Sequence, residues 1–463
     1  MASGIVTDTF LDDVRARLPG LRLLTDPLDR ESYQRDETAY LPSGLPGAVA
    51  LPTDTAQVAE LVRICAAHQV PVVPRGAGSG LSGGATGLDG ALTIAFTAMD
   101  RILEIDVANL CVVTQPGVIN ATLKAAVAEH GLFYAPDPAS FETCSIGGNL
   151  ATNAGGLCCV KYGQTRESVL GLEVVMADGT ILRTGGKNIK DVAGYSLTHL
   201  IVGSGGTLAL ITEATLRLRP TPPPRSTLLA FFPSLEAAGD AVAAIAAAGV
   251  SPVTLELMDR LVIRAVDDMH GLGLDRDAAA MLMVESDLPG SAADDELARS
   301  EAACVASGST TTVRSRDAAE ADLLRQARRA AHWALERLGD VKMEDVGVPR
   351  SRVPDMLRAV EAIAVKHGVR IGTFGHAGDG NLHPDLILER GDPRGAEITK
   401  AVQADLYRAA LDLGGTVTGE HGIGAARTEW LEPQRGADAV RVMRAIKTAL
   451  DPQGLLNPGR VLG

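Results

Sequence analysis

Two glycine-rich segments carry the side chains of this sequence that are best suited to metal binding and proton transfer. Residues 376–383 read His-Ala-Gly-Asp-Gly-Asn-Leu-His, and residues 414–424 read Gly-Gly-Thr-Val-Thr-Gly-Glu-His-Gly-Ile-Gly. We interpret His376, His383 and Glu420 as candidate metal ligands, because two imidazoles and one carboxylate leave coordination positions open for a substrate. His421 is then a candidate base beside the metal. The competing interpretation is an ordinary hairpin whose turn is flanked by two histidines.

The composition is that of a globular protein with more than one domain. A chain of 463 residues is too long for a single hydrophobic core. Hydrophobic residues make up 46% of it and charged residues 22%, which is ordinary for soluble proteins. The formal net charge of −14, from 43 basic and 57 acidic residues, argues against a nucleic-acid partner, whose phosphates would be repelled. We therefore expect a soluble, acidic enzyme.

Three features of the sequence bear on the compartment of the protein. The first 20 residues lack the apolar segment of a secretory signal, and the longest apolar run, 241–250, is too short to span a bilayer. The cysteines form no Cys-x-x-Cys motif, so neither a zinc ribbon nor an iron–sulfur cluster is indicated; they are Cys65, Cys111, Cys144, Cys158, Cys159 and Cys304. We expect a cytoplasmic protein with reduced thiols, and peripheral association with the inner face of the membrane stays open.

Glycine is concentrated in loops between short apolar runs that have the length of strands. The clusters lie at 76–90, 147–156, 185–186, 203–206, 372–380 and 414–424. Glycine permits positive φ values and lets the backbone approach a ligand closely. Several such loops in the first half of the chain therefore indicate a large ligand that lies along them.

The pattern of elements changes after a proline-rich segment at 220–225, which is the best domain boundary. Before it, residues 55–68 have apolar side chains at helical spacing. Beyond it, strand-like runs such as 280–285 alternate with alanine-rich helices, which we expect at 234–248, 322–338, 353–367 and 397–413. This alternation predicts an antiparallel sheet covered by helices. The acidic segment 287–296 is expected to be an exposed loop.

A nicotinamide cofactor is disfavoured by the residues that follow the first glycine cluster. Residues 78–83, Gly-Ser-Gly-Leu-Ser-Gly, match the dinucleotide fingerprint G-x-G-x-x-G, which requires a helix to begin there. The next residues, 84–90, read Gly-Ala-Thr-Gly-Leu-Asp-Gly and would make a poor helix. The loop still suits a phosphate, because consecutive backbone N–H groups in a glycine-rich turn form an anion-binding nest.

Three loops together resemble the flavin-binding loops of the vanillyl-alcohol-oxidase superfamily, the FAD enzymes with a p-cresol methylhydroxylase (PCMH)-type fold. They read Pro-Val-Val-Pro-Arg-Gly-Ala-Gly-Ser-Gly-Leu-Ser-Gly-Gly at 71–84, Ser-Ile-Gly-Gly-Asn-Leu-Ala-Thr-Asn-Ala-Gly-Gly at 145–156, and Gly-Tyr-Ser-Leu-Thr-His-Leu-Ile-Val-Gly-Ser-Gly-Gly-Thr-Leu at 194–208. The segments at 376–383 and 419–424 narrow the resemblance to the FAD-linked D-2-hydroxy-acid dehydrogenases. That branch includes D-lactate dehydrogenase and the flavin subunit of glycolate oxidase. The resemblance extends from about residue 45 to the C-terminus.

The resemblance implies an α+β fold with a PCMH-type FAD-binding domain of two subdomains. A cap domain, built on an antiparallel sheet covered by helices, would hold the substrate. The implied boundaries are an N-terminal helical segment at 1–44, the FAD-binding domain at 45–222, the cap domain at 223–425 and a C-terminal segment at 426–463 that returns to the FAD domain.

The resemblance also implies which residues bind FAD. The matching positions are Pro74, Arg75, Gly76, Ala77, Gly78, Ser79, Gly80, Ser82, Gly83, Pro138, Cys144, Ser145, Gly147, Gly148, Asn149, Ala151, Thr152, Asn153, Gly155, Gly156, Gly206, Thr207, Ile211 and Asn457. Ser79 stands where relatives with covalently bound flavin often carry a histidine, so we expect noncovalent FAD. Three departures from the usual third loop are Gly205 in place of Glu, Ser196 in place of Asp and His199 in place of Lys.

For the chemistry, the resemblance implies that His376, His383 and Glu420 bind a divalent metal and that His421 is the catalytic base. Zinc, manganese and iron all suit imidazole plus carboxylate, so the identity of the metal stays open.

The resemblance further implies that Arg328 is a catalytic residue that holds the substrate carboxylate, because a guanidinium fork matches a carboxylate with two bonds. Arg325 and Arg329 stay open as alternatives. His332 and Met343 are expected to bind substrate in the same pocket. Relatives specific for dicarboxylates have a lysine where this chain has Met343, although Lys342 is adjacent.

We therefore expect FAD-dependent oxidation of a small D-2-hydroxy acid, D-lactate or glycolate, by hydride transfer to the flavin. One alternative is a dehydrogenase of D-2-hydroxyglutarate or another longer D-2-hydroxy acid. Another is a non-catalytic flavin-binding subunit of an oxidase complex, which would not need the histidine pair and the Glu-His dipeptide. The electron acceptor is expected to be a quinone, a cytochrome or an iron–sulfur partner subunit, and a homodimer stays open.

Overall fold

The structure is a computed structural model that describes residues 4–38 and 40–463. Its strands are β1 (Arg22–Leu24), β2 (Ala48–Leu51), β3 (Val72–Arg75), β4 (Leu92–Ala95), β5 (Ile102–Asp106), β6 (Cys111–Thr114), β7 (Leu132–Phe133), β8 (Val169–Val175), β9 (Ile181–Gly185), β10 (Leu210–Arg217), β11 (Arg219–Pro220), β12 (Ser226–Phe232), β13 (Thr254–Asp259), β14 (Ala280–Ser286), β15 (Thr311–Arg314), β16 (Asp340–Lys342), β17 (Val346–Gly347), β18 (Arg370–His376) and β19 (Asn381–Leu388). Its α-helices are α1 (Asp8–Arg17), α2 (Pro27–Glu31), α3 (Thr55–His68), α4 (Asn120–Ala128), α5 (Ile146–Thr152), α6 (Cys159–Tyr162), α7 (Leu197–Ile201), α8 (Leu235–Ala247), α9 (Arg260–His270), α10 (Ser291–Ala306), α11 (Ala318–Arg329), α12 (Ala331–Glu336), α13 (Val353–His367), α14 (Gly395–Asp412), α15 (Thr428–Arg435) and α16 (Ala437–Leu450).

The chain forms two compact units, of which the first comprises Met1–Gly155, Gly163–Thr221 and His421–Gly463. It contains a sheet of order β1-β2-β4-β3, with β2, β4 and β3 parallel, and an antiparallel sheet of order β5-β6-β10-β8-β9. One hydrophobic core surrounds α3 and β4, and another surrounds α4, α5 and β8. The α+β class expected from the sequence is confirmed.

Helix α3 shows how local sequence sets an element of this unit. Asp54 precedes the helix and its carboxylate accepts a hydrogen bond from Gln57 N at 2.9 Å, so the helix begins at Thr55. The apolar side chains Val58, Leu61 and Cys65 are buried against the core, because they recur at helical spacing. The helix spans Thr55–His68, the range predicted from its sequence.

The C-terminal segment completes the parallel sheet. Val72 N donates to Leu455 O at 2.9 Å, and Asn457 N donates to Val72 O at 2.8 Å. Leu455 and Leu456 are fully buried in the same core as α3. Strand β3, which leads into the first glycine-rich loop, is therefore held by residues from the far end of the chain.

The second unit comprises Gly156–Tyr162 and Pro222–Glu420 and contains one antiparallel sheet. The strand order is β15-β12-β14-β13-β18-β19-β16, and β17 also pairs with β19. Met258, Phe374 and Ile387 pack in one core with apolar residues of α9, α11 and α12. Strands β13 and β18 pair Leu257 with Gly375 and Met258 with Phe374. The next residues in this register are Glu256 and His376, which therefore lie opposite each other on the face of the sheet that also carries Met258 and Phe374.

The structure differs from two expectations for this unit. The helix expected at 322–338 is divided, because α11 ends at Arg329 and α12 begins at Ala331. The expectation of an exposed acidic loop at 287–296 is wrong: helix α10 begins at Ser291, and both Asp287 and Glu296 are buried. The Asp287 carboxylate binds Lys161 and Tyr162, which lie more than 100 positions earlier in the sequence, and the Glu296 carboxylate binds Ser286, ten positions earlier.

Among residues 4–38 and 40–463, no helix has both the length and the apolar character that crossing a membrane requires.

Candidate active site

The candidate metal ligands converge in the second unit. His376 is the last residue of β18, and His383 lies in β19, where it faces Phe374 across the hairpin. The Nε2 atoms of His376 and His383 lie 3.3 Å and 3.2 Å from Glu420 Oε1. One ligand atom from each of the three residues lies within 4.8 Å of the others, and both histidines are buried. The structure therefore brings together three residues separated by up to 44 positions in the sequence.

These distances fit a metal ion. Two donor atoms about 2.0–2.2 Å from one ion, at the roughly 90–110° angles of common coordination geometries, are about 2.8–3.6 Å apart. The Nδ1 atom of His376 lies 2.8 Å from Glu256 Oε1, and that of His383 lies 3.3 Å from Glu344 O. Both Nδ1 atoms can thus donate to a fixed acceptor, which leaves the Nε2 lone pairs directed toward Glu420.

The charges around the cluster favour a cation. Burial alone lowers the pKa of His376, but the adjacent Glu256 and Glu420 carboxylates raise it well above its ordinary value. Burial raises the pKa of Glu420, whereas His376 and His383 lower it to well below its ordinary value. The cluster therefore gathers negative charge around the imidazoles, and a divalent ion would supply the opposing positive charge.

A second buried carboxylate shapes the loop that carries Glu420. Asp345 Oδ2 accepts hydrogen bonds from Thr418 Oγ1 at 2.6 Å, Gly419 N at 2.9 Å and Glu420 N at 3.1 Å. A Cβ on Gly419 would lie 2.4 Å from the side chain of Asn381, so only glycine fits there. Asp345 thus fixes the backbone from which Glu420 projects.

Arg328 is buried near the candidate metal ligand His376, with which it shares the partner Glu256, and is not a solvated helix residue. It is 3% exposed, its Nη2 lies 2.5 Å from Glu256 Oε2, and its guanidinium lies 4.8 Å from the centroid of the Phe374 ring. Its Nε has no hydrogen-bond acceptor among the described residues. Arg325, one of the two alternatives, is instead bound to both carboxylate oxygens of Glu285 at 2.8–3.1 Å. Arg328 is therefore the better placed of these two arginines to bind an anion.

The remaining two candidate substrate residues lie on the same unit. His332 lies in α12, shortly after Arg328 of α11. The Nδ1 atom of His332 lies 2.7 Å from Asp385 Oδ2. Asp385 is two residues beyond His383 in β19, so both side chains share one face of the strand. Met343 follows β16 and is half-buried. The structure thus connects His332 to the strand that carries His383, a candidate metal ligand.

The first and second glycine-rich loops abut in the first unit. The first loop follows β3, and Gly78 and Gly83 have φ values of +82° and +74°, which favour glycine. A Cβ on Gly76 would lie 2.3 Å from Ser145 Oγ. Ser145 caps α5 by accepting a hydrogen bond from Gly148 N at 3.3 Å. The N-terminus of a helix therefore lies beside the first loop, in a setting that suits an anionic phosphate.

The third loop meets the other two. A Cβ on Gly206 would lie 2.4 Å from Pro74 Cγ, and Gly205 N donates to Ala151 O at 2.8 Å. Asn457 Nδ2 donates to Gly84 O at 2.9 Å and to Gly205 O at 2.8 Å, so it ties the first loop to the third. The three loops thus pack closely against one another at positions where glycine leaves out a Cβ.

Other matched positions support these loops. Asn149 Nδ2 lies 3.2 Å from Cys144 Sγ, and its Oδ1 accepts from Asn120 Nδ2 at 3.0 Å. Thr207 Oγ1 donates to Ser204 O at 2.7 Å. Ile211 lies in β10 and its side chain packs in the core around α4 and α5.

His421, the candidate base, directly follows Glu420 and is half-buried. The segment after His421 is hydrogen-bonded to the first glycine-rich loop, because Ala425 N and Ala426 N donate to Ser82 O at 2.8 Å and 3.1 Å. A Cβ on Gly424 would lie 2.1 Å from Ser82 O. The candidate base and the contact of Ala425 with the first glycine-rich loop therefore both lie in the first unit.

Sequence reasoning missed Glu256 and Asp345, which orient the candidate ligands. A signal for Glu256 is present, since it interrupts an apolar run, Thr-Leu-Glu-Leu-Met-Asp, in a strand that is buried throughout. A charged residue in such a strand needs a buried partner. The sequence does not show which partner that is.

Comparison with known proteins agrees with this architecture. Residues 46–185 match the family described as FAD binding domain, and residues 221–461 match the family described as FAD linked oxidases, C-terminal domain. The chain resembles solved structures of p-cresol methylhydroxylase (TM-score 0.82, 17% identity, 99% of this chain and 98% of that chain) and of 4-ethylphenol oxidase from Gulosibacter chungangensis (0.80, 19%, 99% and 98%). The PCMH-type fold expected from the sequence is confirmed.

Curated relatives cover nearly the whole chain. The glycolate oxidase subunit GlcD of Bacillus subtilis is 43% identical over 93% of this chain and 91% of its own length. A D-lactate dehydrogenase of Archaeoglobus fulgidus is 35% identical over 93% of this chain and 96% of its own length. A D-2-hydroxyglutarate dehydrogenase of Xanthomonas citri is 34% identical over 98% and 97%. The chain therefore belongs to the FAD-linked oxidases, as an FAD-linked oxidoreductase of the glycolate oxidase, D-lactate dehydrogenase and D-2-hydroxyglutarate dehydrogenase type.

Proposed function

We propose that this protein oxidises a small D-2-hydroxy acid, D-lactate or glycolate, to the corresponding 2-oxo acid with the help of a divalent metal and a histidine base. The observation that carries the proposal is the convergence of His376 Nε2 and His383 Nε2 on Glu420 Oε1, beside the buried Arg328. A 2-hydroxy acid offers a carboxylate and a hydroxyl on adjacent carbons, which match an arginine fork and a metal with open positions.

Each residue has a separate task in this proposal. His376, His383 and Glu420 would hold the metal, which lowers the pKa of a bound hydroxyl when it is present. Arg328 holds the substrate carboxylate with the donors that Glu256 leaves unused. His421 removes the hydroxyl proton as the C2 hydrogen leaves with its electron pair.

FAD, when bound, would supply the oxidant for this step, because its isoalloxazine can accept the hydride. We propose that FAD is held without a covalent bond, since Ser79 stands where relatives with covalently bound flavin often carry a histidine. Acid precipitation should then leave the yellow colour in the supernatant. Flavin retained in the protein pellet would contradict this part of the proposal.

Electrons must then leave the reduced flavin. We propose a quinone, a cytochrome or an iron–sulfur partner subunit as the acceptor, with a cytoplasmic location that permits peripheral contact with the inner face of the membrane. The support is that one relative is named as a subunit of glycolate oxidase, and that no Cys-x-x-Cys motif in this sequence indicates an internal cluster.

Substrate length is assigned from Met343, which offers no charge to a second carboxylate. An unpaired buried carboxylate costs several kcal/mol, so D-2-hydroxyglutarate and D-malate should be poor substrates. The competing assignment, D-2-hydroxyglutarate, is that of one relative and would require a cation such as Lys342 to serve the second carboxylate.

A substrate panel with an artificial dye acceptor tests the assignment. D-lactate or glycolate should give a kcat/KM about a hundredfold above those of D-2-hydroxyglutarate and D-malate, and L-lactate should react poorly. A preference for the dicarboxylates would overturn the substrate assignment but would leave the roles of the metal and of His421 to be tested separately.

A further inference from the structure

We propose that Glu256 is a positioning residue that orients the metal ligand His376 and the anion-binding Arg328 together. The two halves of the active site would then share one buried carboxylate, and disturbing it would weaken both. The inference rests on the proposed function, because it assumes that His376 binds a metal and that Arg328 binds a carboxylate. In this role Glu256 neither binds the metal or the substrate nor transfers a proton, but orients the two residues that bind them.

The contacts of Glu256 point in two directions. Its Oε1 lies 2.8 Å from His376 Nδ1, and its Oε2 lies 2.5 Å from Arg328 Nη2. Glu256 is 1% exposed, so these contacts are not weakened by water. Its strand, β13, is hydrogen-bonded to β18, which holds the carboxylate opposite His376. A rigid sheet thus sets its position.

On the metal side, Glu256 selects the useful form of the imidazole. A carboxylate accepts hydrogen bonds only, so the Nδ1 of His376 keeps a proton, and Nε2 is the nitrogen that would offer its lone pair to a metal. The same bond fixes the rotation of the ring, with Nε2 directed toward Glu420. Carboxylates that support metal-bound histidines in this way commonly contribute about 10–100-fold to metal affinity.

On the substrate side, Glu256 fixes the plane of the Arg328 guanidinium. The ion pair of Arg328 Nη2 with Glu256 Oε2, which lacks hydrogen-bond geometry, and the position of the guanidinium 4.8 Å from the centroid of the Phe374 ring together restrict its rotation. Both Nε and Nη2 have no hydrogen-bond acceptor among the described residues, so a substrate carboxylate could accept hydrogen bonds from them. Loss of Glu256 would therefore release the fork that has to meet the substrate.

The same sheet contains a matched pair that lacks the metal contact. Arg325, three residues before Arg328 on α11, binds Glu285, which is fully buried on β14. Glu285 also binds Arg225 at 3.0 Å, so it too serves two partners. A substitution at Glu285 therefore reproduces the loss of a buried carboxylate held by arginine, without a contact to His376.

The first experiment compares Glu256→Gln with Glu285→Gln in the FAD-loaded protein, without substrate. An amide can accept on one side only, so Gln at position 256 would present a donor to either His376 or Arg328. Affinity for Mn²⁺ and Zn²⁺, measured by competition with a chelator, should fall about 10–100-fold in Glu256→Gln. Glu285→Gln should keep the wild-type metal affinity, even if its thermal midpoint falls. Equal metal affinity in Glu256→Gln and the wild type would overturn the metal half of the inference.

The second measurement addresses Arg328 at saturating metal. Glu256→Gln should raise KM for the 2-hydroxy acid, whereas Glu285→Gln should not. A KM that stays at the wild-type value would overturn the substrate half of the inference.

A second pair of variants keeps the test decisive if Glu256→Gln does not fold. Arg328→Lys keeps a charge near Glu256 but loses the planar fork, and Arg325→Lys is its control. Metal affinity without substrate should change in Arg328→Lys and not in Arg325→Lys, although neither residue is a ligand. No change in either variant would overturn the coupling. Wild-type protein that binds no metal at all would instead contradict the proposed function.

Discussion

The hairpin that carries the candidate metal ligands, β18–β19, and the three glycine-rich loops at 71–84, 145–156 and 194–208 depend on different features of their residues. In the hairpin of β18 and β19, the groups that face a ligand are side chains, and each is oriented by another buried group, as Glu256 orients His376 and Asp345 orients the loop of Glu420. In the glycine-rich loops, the necessary feature is a missing side chain, as at Gly206, where a Cβ would lie 2.4 Å from Pro74 Cγ and would keep the loops apart.

This difference follows from the ligands. A metal needs a few donor atoms at fixed distances, so small errors in side-chain orientation matter. FAD offers a long surface to many weak contacts, so no single loop residue dominates the affinity for FAD. An added side chain in a loop should therefore lower that affinity more than the loss of one polar group. Substitutions should therefore separate the two regions: changes near the hairpin should affect metal binding and catalysis, and changes in the loops should affect flavin content.

The largest difference between an effect on catalysis and an effect on flavin content is expected for His421→Ala. FAD should stay bound, because the flavin loops are unchanged, while flavin reduction should slow by about 10²–10⁴-fold, the usual effect of losing a general base. Anaerobic stopped-flow with D-lactate or glycolate measures the rate. Reduction near the wild-type rate would remove His421 from the mechanism.

A smaller effect is expected for Arg328→Lys. An ammonium cannot reproduce the planar fork, and a charged hydrogen bond is worth about 1.5–3 kcal/mol, so kcat/KM should fall by about 10–100-fold for every 2-hydroxy acid. Arg325→Lys is the control, because Arg325 is occupied by Glu285. Equal losses in both variants would show that the effect is structural.

On the flavin side, we expect Gly206→Ala to lower the affinity for FAD by about tenfold. Gly206 has a φ of +70°, and a Cβ there would lie 2.4 Å from Pro74 Cγ. The left-handed conformation costs a residue with a Cβ about 1–2 kcal/mol, and the contact with Pro74 adds to it. Flavin titration of the apoprotein measures the effect, and metal affinity should not change.

Gly131→Ala controls for strain alone, since Gly131 has a φ of +67° and no atom within 4 Å of the Cβ position. If Gly131→Ala lost as much flavin as Gly206→Ala, the close approach of Gly206 to Pro74 would not be the cause.

The remaining prediction concerns stability and not binding or catalysis, and it distinguishes buried carboxylates with and without a basic partner. Burial raises the pKa of Asp259 to about 7, although Val262 N and Thr373 N donate to it. Burial also raises the pKa of Glu285, but its hydrogen bonds with Arg325 and the charge of Arg225 bring the pKa below its ordinary value.

Because Asp259 stays protonated in the folded protein at pH values where it ionises in the unfolded chain, the folded state binds more protons. Stability should therefore fall as the pH rises from about 4 to about 7, by up to about 1.4 kcal/mol per pH unit. The difference in thermal midpoint between the wild type and Asp259→Asn, followed across this range, measures the effect. A difference that does not vary with pH would contradict it.

Much of this arrangement was predictable where residue type or spacing determines it. Helix α3 follows from its cap and its apolar stripe, and the convergence of His376, His383 and Glu420 was expected because few residue types bind metals. The antiparallel sheet of the second unit followed from the alternation of strand-like runs with helices and from the resemblance. These are features that local sequence or a short motif carries.

What escaped prediction depends on partners far apart in the sequence. Asp287 was expected in solvent, but Lys161 and Tyr162 bind its carboxylate. The link between His332 and Asp385 joins residues 53 positions apart. Glu256 could be suspected from its place in an apolar strand, yet its two contacts depend on a register that only the folded sheet displays.

The most direct test of the account is anaerobic flavin reduction before and after metal removal. Protein treated with a chelator and shown by elemental analysis to be metal-free should keep its FAD and should not be reduced by D-lactate or glycolate. Addition of one equivalent of a divalent metal should restore reduction, and it should fail to do so in Glu420→Gln. Metal-free protein that is reduced at the untreated rate would contradict the central claim that His376, His383 and Glu420 form a catalytic metal site.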